Sequence, residues 1–167
     1  PFEGILPEEL TLDRAEMGIC VSLSDKLKPF KKTFNVVPQI VTPGVGCRKN
    51  VSADQFEKFI LNVLEENHVS IYAVEKIASI DLKKYEKCIL SFSDKYKIPF
   101  VTYTAEELKG VSGEFLPSDF VKSVTGVDNV CERSAVLGSG NGQKILSKAS
   151  GSGVTAALAM KDWKCKF

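Results

Sequence analysis

The chain has 167 residues, a length at which one domain can bury a substantial core. Its 22 lysines and arginines nearly balance 21 acidic residues, so there is no basic field to attract a nucleic acid or an anionic membrane. We find no apolar run of bilayer length and no secretory leader, and we therefore expect a soluble, cytoplasmic protein. Any recognition of an anion must be local.

The cysteines and the single histidine limit the chemistry. Five cysteines are scattered without a C-x-x-C pair, which favours reduced thiols over a disulfide framework or a zinc site. His68 lies in a polar run at a predicted helix end, where an imidazole is usually solvated. Serine–histidine catalysis and histidine metal sites are disfavoured, so acid–base chemistry would depend on Lys, Glu, Asp, Tyr or Cys.

The first half of the chain predicts two strands and an amphipathic helix. Residues 18–22 form a short apolar strand, and residues 36–42 form a β-branched strand that Pro43 ends. A glycine turn at residues 44–52 follows. Ser52 and Gln55 then form a capping box at the start of a helix whose apolar residues repeat on one face.

The second half alternates helices and strands. A short helix is predicted from Ser70 to Lys76, and Thr104 with Glu107 forms a second capping box. The remaining predicted strands are 77–80, 99–103, 143–147 and 154–160, and the remaining predicted helices are 85–96, 105–109, 119–125 and 130–137. This order predicts a three-layer α/β/α fold with a mixed, mainly parallel sheet. The last two strands are predicted to be antiparallel because their connection is too short for a crossover.

Three segments follow predicted parallel strands: the glycine turn, residues 81–83 and residues 103–104. Ligands of open α/β sheets bind beyond the carboxyl ends of such strands. In the turn, Gly44 and Gly46 permit close backbone approach, Arg48 and Lys49 supply positive charge, and the next helix begins with unpaired N–H groups. The turn predicts an anion pocket, although glycine is also required in tight turns for steric reasons alone.

Six motifs in order resemble one family. They are Gly44-Val-Gly-Cys-Arg-Lys, Ala78-Ser-Ile-Asp-Leu-Lys, Tyr103-Thr-Ala-Glu-Glu-Leu, Pro117-Ser leading to Gly126, Val130-Cys-Glu, and Lys148 before Gly153-Val-Thr-Ala-Ala-Leu-Ala. Over residues 36–160 the chain resembles the C-terminal domain of the CbiG-type cobalamin-biosynthesis proteins, and it is also similar to CobE. The resemblance implies that residues 36–167 form this domain. Residues 1–35 would be the tail of the preceding region, and the chain a fragment that lacks the N-terminal domain.

The resemblance implies cobalt-precorrin-5A hydrolase activity, in which a ring-A lactone is opened and acetaldehyde is released. A tetrapyrrole that carries many carboxylates requires positioned cations and backbone donors. The implied substrate-binding residues are Gly44, Gly46, Cys47, Arg48, Lys49, Lys83 and Lys148. Cobalt would be carried by the macrocycle, with no metal or other cofactor bound by the protein. The expected partners are the cobalt-tetrapyrrole precursor, the N-terminal domain of the same protein and other corrin-pathway enzymes, with no nucleic acid and no membrane.

Lactone opening also requires a base, and two glutamates are candidates. Glu86 or Glu132 would activate water if burial near the substrate raised its pKa. Cys47 has three interpretations: a nucleophile, a small buried hydrophobic residue or a spacer in the turn. The family commonly has Gly-Cys-Arg-Arg-Gly where this chain has Lys49 and Asn50. Two alternatives remain: a corrinoid-binding module without catalysis, and an unrelated α/β interaction domain, against which the motif order argues.

Overall fold

The computed structural model describes residues 2–3, 15–115, 117 and 123–166. The strands are β1 (Phe2–Glu3), β2 (Met17–Val21), β3 (Lys32–Val36), β4 (Val41–Cys47), β5 (Ile77–Ile80), β6 (Phe100–Tyr103), β7 (Gln143–Gly151), β8 (Val154–Met160) and β9 (Cys165–Lys166). The helices are α1 (Ala53–Glu66), α2 (Lys87–Tyr96), α3 (Ala105–Lys109) and α4 (Val130–Gly138), with 3-10 turns at Ile71–Ala73 and Asp81–Lys83. None of the helices in these ranges has the length and apolarity that crossing a bilayer requires.

Five strands form the central sheet in the order β6-β5-β4-β8-β7. Strands β4, β5 and β6 are parallel, whereas β8 is antiparallel to both β4 and β7. This mixed sheet with an antiparallel C-terminal pair confirms the predicted fold class. The β7–β8 connection is shorter than expected, because Ser152 (φ 50°) and Gly153 (φ 75°) form a two-residue turn of the kind that matches the twist of a hairpin.

Side chains alternate across β8 and so contribute to two separate cores. Ala156 and Leu158 lie in the core formed with α1 and α2. Ala157 and Ala159 pack on the opposite face against α4. Because successive residues of a strand point to opposite faces, this alternation places helices on both sides of the sheet and gives the predicted three layers.

The two predicted capping boxes are present. Ser52 Oγ accepts a hydrogen bond from Gln55 N, and the Gln55 side chain accepts one from Ser52 N, each at 3.2 Å. Thr104 and Glu107 form the same reciprocal pair at the start of α3. Each box satisfies backbone donors that a helix N-terminus leaves unpaired, which fixes where the helix begins. The sequence therefore predicted both helix starts correctly.

The predicted strand at residues 36–42 and the glycine turn that follows it are wrong. Val36 ends β3, where it pairs with Val21, and the next strand starts only at Val41. Strand β4 then continues through both glycines to Cys47. A Cβ atom on Gly44 would lie 2.5 Å from the backbone nitrogen of Ala135 in α4 and closer still to the carbonyl oxygen of Cys131. Gly44 is therefore required for close helix–sheet packing and not for a turn.

Three further boundaries differ from the predictions. The helix expected between Ser70 and Lys76 is only the 3-10 turn Ile71–Ala73, because Val74 already bridges to Val41 at the edge of the sheet. Helix α2 begins at Lys87 and not at residue 85, since the 3-10 turn Asp81–Lys83 takes up the preceding chain. Strand β7 extends to Gly151. The predicted helix 119–125 falls largely on residues outside the described part of the chain.

Outside the central sheet, two small parallel pairs form. Strand β2 confirms the strand predicted at residues 18–22 to within one residue, and it pairs with β3. Strand β1 pairs with β9. Several apolar side chains of the β2–β3 pair are exposed, namely Met17, Ile19, Val21, Phe34 and Val36. The packed core thus lies around the five-stranded sheet, which positions the candidate site.

Candidate functional site

The carboxyl ends of β4, β5 and β6 lie at one edge of the sheet. Gly44 of β4 is aligned with Ala78 of β5, which is aligned with Val101 of β6. The turn at residues 48–51, the 3-10 turn Asp81–Lys83 and the α3 cap therefore follow neighbouring parallel strands, as the topology predicted. This edge is where open α/β sheets place ligand-binding groups.

Arg48 and Lys49 lie in an exposed turn directly after β4. The backbone N–H of Arg48 donates to the carbonyl oxygen of Gly153 at 2.8 Å, which ties this turn to the β7–β8 hairpin. A Cβ atom on Gly153 would lie 3.6 Å from Arg48 Cδ, so the arginine side chain extends along that hairpin. The turn presents its two cations to solvent from a backbone that a second element holds in place.

Cys47 and Cys88 contact each other on the α1–α2 face of the sheet. Their Sγ atoms are 3.7 Å apart, and Cys47 packs against the core formed with these helices. Burial and the neighbouring Cys88 raise the pKa of the Cys47 thiol to about 12, and the positive charge of Lys83 lowers it only in part. A thiol with such a pKa keeps its proton at neutral pH, which does not favour the nucleophile interpretation.

Glu86 and Lys83 form an ion pair beside these thiols. Lys83 Nζ lies 2.7 Å from Glu86 Oε1, and both side chains are about one-fifth exposed. Glu86 immediately precedes α2, and Lys83 ends the 3-10 turn that follows β5. The predicted base and one predicted cation are thus close together, with the carboxylate already neutralised by the lysine.

Glu132 is fully buried in the first turn of α4 and has three hydrogen-bond donors. Its carboxylate accepts from Lys144 Nζ at 2.6 Å, Asn129 Nδ2 at 2.8 Å and the backbone N–H of Lys148 at 3.2 Å. Burial raises the pKa of Glu132, but these donors together outweigh it and leave the pKa below its ordinary value. The raised pKa on which a catalytic role for Glu132 depended is therefore not found.

Lys148 contributes its backbone N–H to this cluster. A register shift between Leu146 and Ala149 places the Lys148 amide against Glu132. Burial raises the pKa of the Cys131 thiol to about 11, while its hydrogen bond to Thr155 and the nearby charge of Lys148 lower it in part. The positive charge of Lys148 therefore acts on Cys131 in the first turn of α4.

Strand β4 separates the candidate residues into two groups. Cys47, Lys83 and Glu86 lie together beside the α1–α2 core. Glu132 and Lys148 lie on the opposite side of the sheet, where Gly44 makes room for α4. The structure brings together the members of each group but does not join the two groups into one cluster.

Sequence reasoning missed three residues of these clusters, Cys88, Asn129 and Lys144. Asn129 had a local signal, because an asparagine three residues before Glu132 is a helix N-cap pattern. The other two had none, since Cys88 is 41 residues from Cys47 and Lys144 is 12 residues from Glu132. Contacts between distant elements leave no pattern in a single sequence.

A cavity of about 630 Å³ lies beside the Glu132 cluster. Lys144 forms part of its wall together with Phe115, Val136 and Asn141. The centroid of the Phe115 ring lies 4.5 Å from the Arg133 guanidinium carbon and 5.4 Å from Lys144 Nζ, so two cations lie against one aromatic ring. Lys144 thereby connects the buried carboxylate of Glu132 to the wall of this cavity.

A family model described as "Cobalamin synthesis G C-terminus" matches residues 41–159. This chain belongs to that family. The resemblance proposed from the motif order is confirmed. The matched segment begins at the first residue of β4 and ends one residue before the end of β8, so it covers the central sheet and both helix layers.

Individual relatives of the cobalamin synthesis G family extend the match. The chain is 35% identical over 123 residues to the cobalt-precorrin-5A hydrolase of Priestia megaterium, covering 74% of this chain and 33% of that protein. It is 32% identical over 162 residues to the enzyme of the same name from Salmonella typhimurium, covering 95% of this chain and 46% of that protein. The chain thus spans between a third and a half of the length of these relatives.

Solved structures of the family share the fold. The crystal structure of CobE, a protein from the cobalamin biosynthetic pathway, superposes with a TM-score of 0.67 at 25% identity and covers 74% of this chain and 92% of that one. A putative cobalamin biosynthesis protein G homologue from Sulfolobus solfataricus has a TM-score of 0.59 at 24% identity, covering 95% of this chain and 47% of that one. The latter similarity shows the fold alone.

Asn50 stands where the resemblance noted from the sequence places the last glycine of Gly-Cys-Arg-Arg-Gly. Its φ angle is 66°, in the left-handed region that glycine and asparagine tolerate best. The turn after β4 therefore keeps the backbone geometry that a glycine would give.

Substitutions at position 50 should follow this backbone requirement. Asn50→Gly is expected to leave the free energy of unfolding within about 0.5 kcal/mol of the original value, whereas Asn50→Val should lower it by about 1–2 kcal/mol because a β-branched residue is strained at positive φ. Urea denaturation of both variants measures the difference. Equal stability of the two variants would contradict the left-handed assignment.

Proposed function

We propose that this chain is the C-terminal part of a cobalt-precorrin-5A hydrolase in cobalamin biosynthesis. The whole protein would open the ring-A lactone of its cobalt-tetrapyrrole substrate and release a two-carbon unit as acetaldehyde, which requires cleavage of a C–C bond. The observation that carries the proposal is the 32% identity to an enzyme of that name across 95% of this chain. Family membership over the complete sheet supports it.

The exposed turn after β4 supports recognition of the substrate's carboxylates. Arg48 can form a two-point, charge-assisted contact with a carboxylate, and Lys49 adds a second positive charge. The Arg48 backbone is fixed by its hydrogen bond to Gly153, so less ordering is needed on binding than for a free loop. We assign Arg48 and Lys49 the role of binding carboxylates at the periphery of the macrocycle.

The Lys83–Glu86 pair supports a route to an activated water. When a substrate carboxylate pairs with Lys83, Glu86 loses its 2.7 Å partner and its carboxylate becomes free to accept a proton. The hydroxide left when water gives up this proton adds to the lactone carbonyl carbon, and the ring C–O bond breaks to leave a carboxylate and an alkoxide. The alkoxide becomes the carbonyl of acetaldehyde as its C–C bond to the macrocycle breaks, and the electron pair left on the macrocycle takes the proton back from Glu86. In this proposal Lys83 binds and Glu86 is the base, whereas Glu132 holds Lys144 and the start of α4.

One observation favours a second candidate function, a corrinoid-binding module whose chemistry is supplied by the rest of the protein. The thiols of Cys47 and Cys131 keep their protons, and Glu132 is ionised and occupied by three donors. Of the two candidate bases, Glu86 and Glu132, this leaves Glu86, which would become available when Lys83 pairs with another carboxylate. The region of the longer relatives that this chain does not span would otherwise supply the base.

Acetaldehyde release separates the two candidates. The chain and the corresponding full-length protein are each incubated with cobalt-precorrin-5A, and acetaldehyde and bound tetrapyrrole are measured. Release by the chain alone would establish the hydrolase site within it, whereas binding without release would establish the module. Absence of both binding and release with either protein would overturn the proposed function.

Arg48 is the first residue to test for binding. Arg48→Ala should weaken tetrapyrrole binding by about 10- to 100-fold, because a hydrogen bond to a charged group contributes about 1.5–3 kcal/mol. Arg48→Lys should give an intermediate loss, since it keeps the charge without the planar fork. Absorbance titration of the macrocycle measures the affinity.

Lys76→Ala is the matched control, because this half-buried lysine precedes β5 at the opposite edge of the sheet. It should leave tetrapyrrole affinity unchanged. An equal loss in Arg48→Ala and Lys76→Ala would mean that overall charge determines the affinity, and our assignment of the turn would be wrong.

A further inference from the structure

Three potential metal ligands converge at the carboxyl end of β4. The Sγ atoms of Cys47 and Cys88 and a carboxylate oxygen of Glu86 all lie within 4.8 Å of one another. The sequence led us to expect no metal bound by the protein, because its cysteines are scattered. The fold nevertheless brings Cys47 and Cys88 into contact, although they are 41 residues apart in the sequence.

The spacing of the two sulfur atoms matches a tetrahedral zinc centre. With Zn–S bonds of about 2.3 Å and a tetrahedral angle, two thiolate sulfurs lie about 3.8 Å apart. The Sγ atoms of Cys47 and Cys88 are 3.7 Å apart, compared with about 2.05 Å in a disulfide. The distance between the two Sγ atoms therefore does not have to change for both to bind the ion.

The third ligand and its neighbour complete the charge balance. Two thiolates and the Glu86 carboxylate carry one negative charge more than Zn²⁺ neutralises, and the Lys83 ammonium beside Glu86 supplies the missing positive charge. A carboxylate has two oxygens, so Glu86 can ligate through one while Lys83 holds Oε1 at 2.7 Å. Such an outer partner orients a ligating carboxylate.

The three ligands differ in burial, so one is held in the core while the other two can be reached by a metal ion from solvent. Cys88 is buried in the first turn of α2, whereas Cys47 and Glu86 are half-buried and reach the surface. A metal ion can therefore reach the site from solvent on the side of Cys47 and Glu86. Three protein ligands leave the fourth position of a tetrahedral ion for water or another ligand, as in exchangeable zinc sites.

We propose that Cys47, Glu86 and Cys88 form a Zn²⁺ site with an open fourth position and that Lys83 is its outer-shell partner. Each thiol gives its proton to solvent as its sulfur bonds to the metal. The proposal goes beyond the proposed function and does not depend on it, because metal binding can be measured without any tetrapyrrole. In the zinc-bound chain Glu86 is a ligand, so its proposed role as a base belongs to the metal-free chain.

Metal content of the purified chain, kept reduced, tests the site. After loading with Zn²⁺ and dialysis, we expect about one zinc ion per chain from the three-ligand geometry. Substitution of Co²⁺ should give a thiolate-to-metal charge-transfer band in the near ultraviolet. Cys47→Ser and Cys88→Ser should each abolish this band, while Cys20→Ser, a half-buried thiol in β2, should keep it.

Two further variants test the roles of the charged residues. Glu86→Gln removes a ligand, and Lys83→Met removes its outer partner, so each should weaken zinc binding by about 10- to 100-fold or more. Competition with a zinc-binding dye measures the affinity. An unchanged affinity in both variants would overturn the assignment of Glu86 as a ligand.

Alkylation of the unmodified chain gives a readout that does not depend on how the variants fold. Zinc should slow the reaction of iodoacetamide with Cys47 and Cys88 but not with Cys20, as measured by mass spectrometry of the peptides. A chain that retains no zinc, or one whose zinc protects neither Cys47 nor Cys88, would overturn the proposed site. Either result would leave the acetaldehyde experiment unaffected, so the two proposals can fail separately.

Discussion

Gly44→Ala should lower the free energy of unfolding by about 3 kcal/mol or more, because the new methyl group would overlap the backbone of α4. The Cβ atom would lie 2.5 Å from Ala135 N, and a main-chain atom cannot move aside as the end of a flexible side chain can. Strand β4 is central in the sheet, so it cannot shift alone. Urea or thermal unfolding measures the effect.

Gly110→Ala is the matched control for this prediction. Gly110 has a φ of −69°, and the nearest atom to an added Cβ is 3.4 Å away. Gly110→Ala should change the free energy of unfolding by no more than about 0.5 kcal/mol. If Gly44→Ala were as stable as Gly110→Ala, the close approach of α4 to β4 would be wrong.

Glu132→Ala should lower the free energy of unfolding by about 3 kcal/mol, because it removes one acceptor shared by three donors. Asn129 Nδ2 and the Lys148 N–H would lose a buried partner, and Lys144 would lose its 2.6 Å ion pair. Chemical denaturation at neutral pH measures the loss. A loss below about 0.5 kcal/mol, typical of surface positions, would contradict the buried cluster.

The Glu132 carboxylate should also make the free energy of unfolding depend on pH in the acid range. The pKa of Glu132 is lower in the folded chain than its unfolded value of about 4.3, so its contribution is present above that value and is lost as pH falls through the folded pKa. Stability of the original chain should therefore fall more steeply below about pH 4 than that of Glu132→Gln. Parallel curves would contradict the lowered pKa.

Glu66→Gln provides the comparison, since Glu66 is exposed at the end of α1. Its pH dependence should follow that of the original chain. Measurement of all three proteins in urea at pH values between about 3 and 7 separates the contribution of Glu132 from the general effect of acid on carboxylates.

Local signals in the sequence predicted much of the fold. Helices α1 and α3 begin where their capping boxes place them, and β5 and β8 have their predicted bounds. Strand β4 could not be predicted in this way, because Pro43, Gly44 and Gly46 have the composition of a turn. The reason for Gly44 is α4, whose contact residues lie more than 80 positions further along the chain, and a Cβ atom on Gly46 would lie 2.8 Å from Thr155 Oγ1 of β8.

The candidate site was predictable only in part. Alternating strands and helices correctly placed the turn after β4 and the Lys83–Glu86 pair at one edge of the sheet. The sequence could not indicate that β4 places Cys47 and Glu132 on opposite faces. It also could not give the lowered pKa of Glu132, which depends on Lys144 in a different element.

The close contact between β4 and α4 restricts where this domain can change its ligand preference. A strand that has no room for a side chain at Gly44 cannot acquire a new recognition group there without loss of its core. The exposed residues 48–50 have no such restriction apart from the left-handed backbone of Asn50. Under the binding role proposed for Arg48 and Lys49, libraries intended to alter specificity should therefore vary residues 48 and 49 and keep the glycines of the strand.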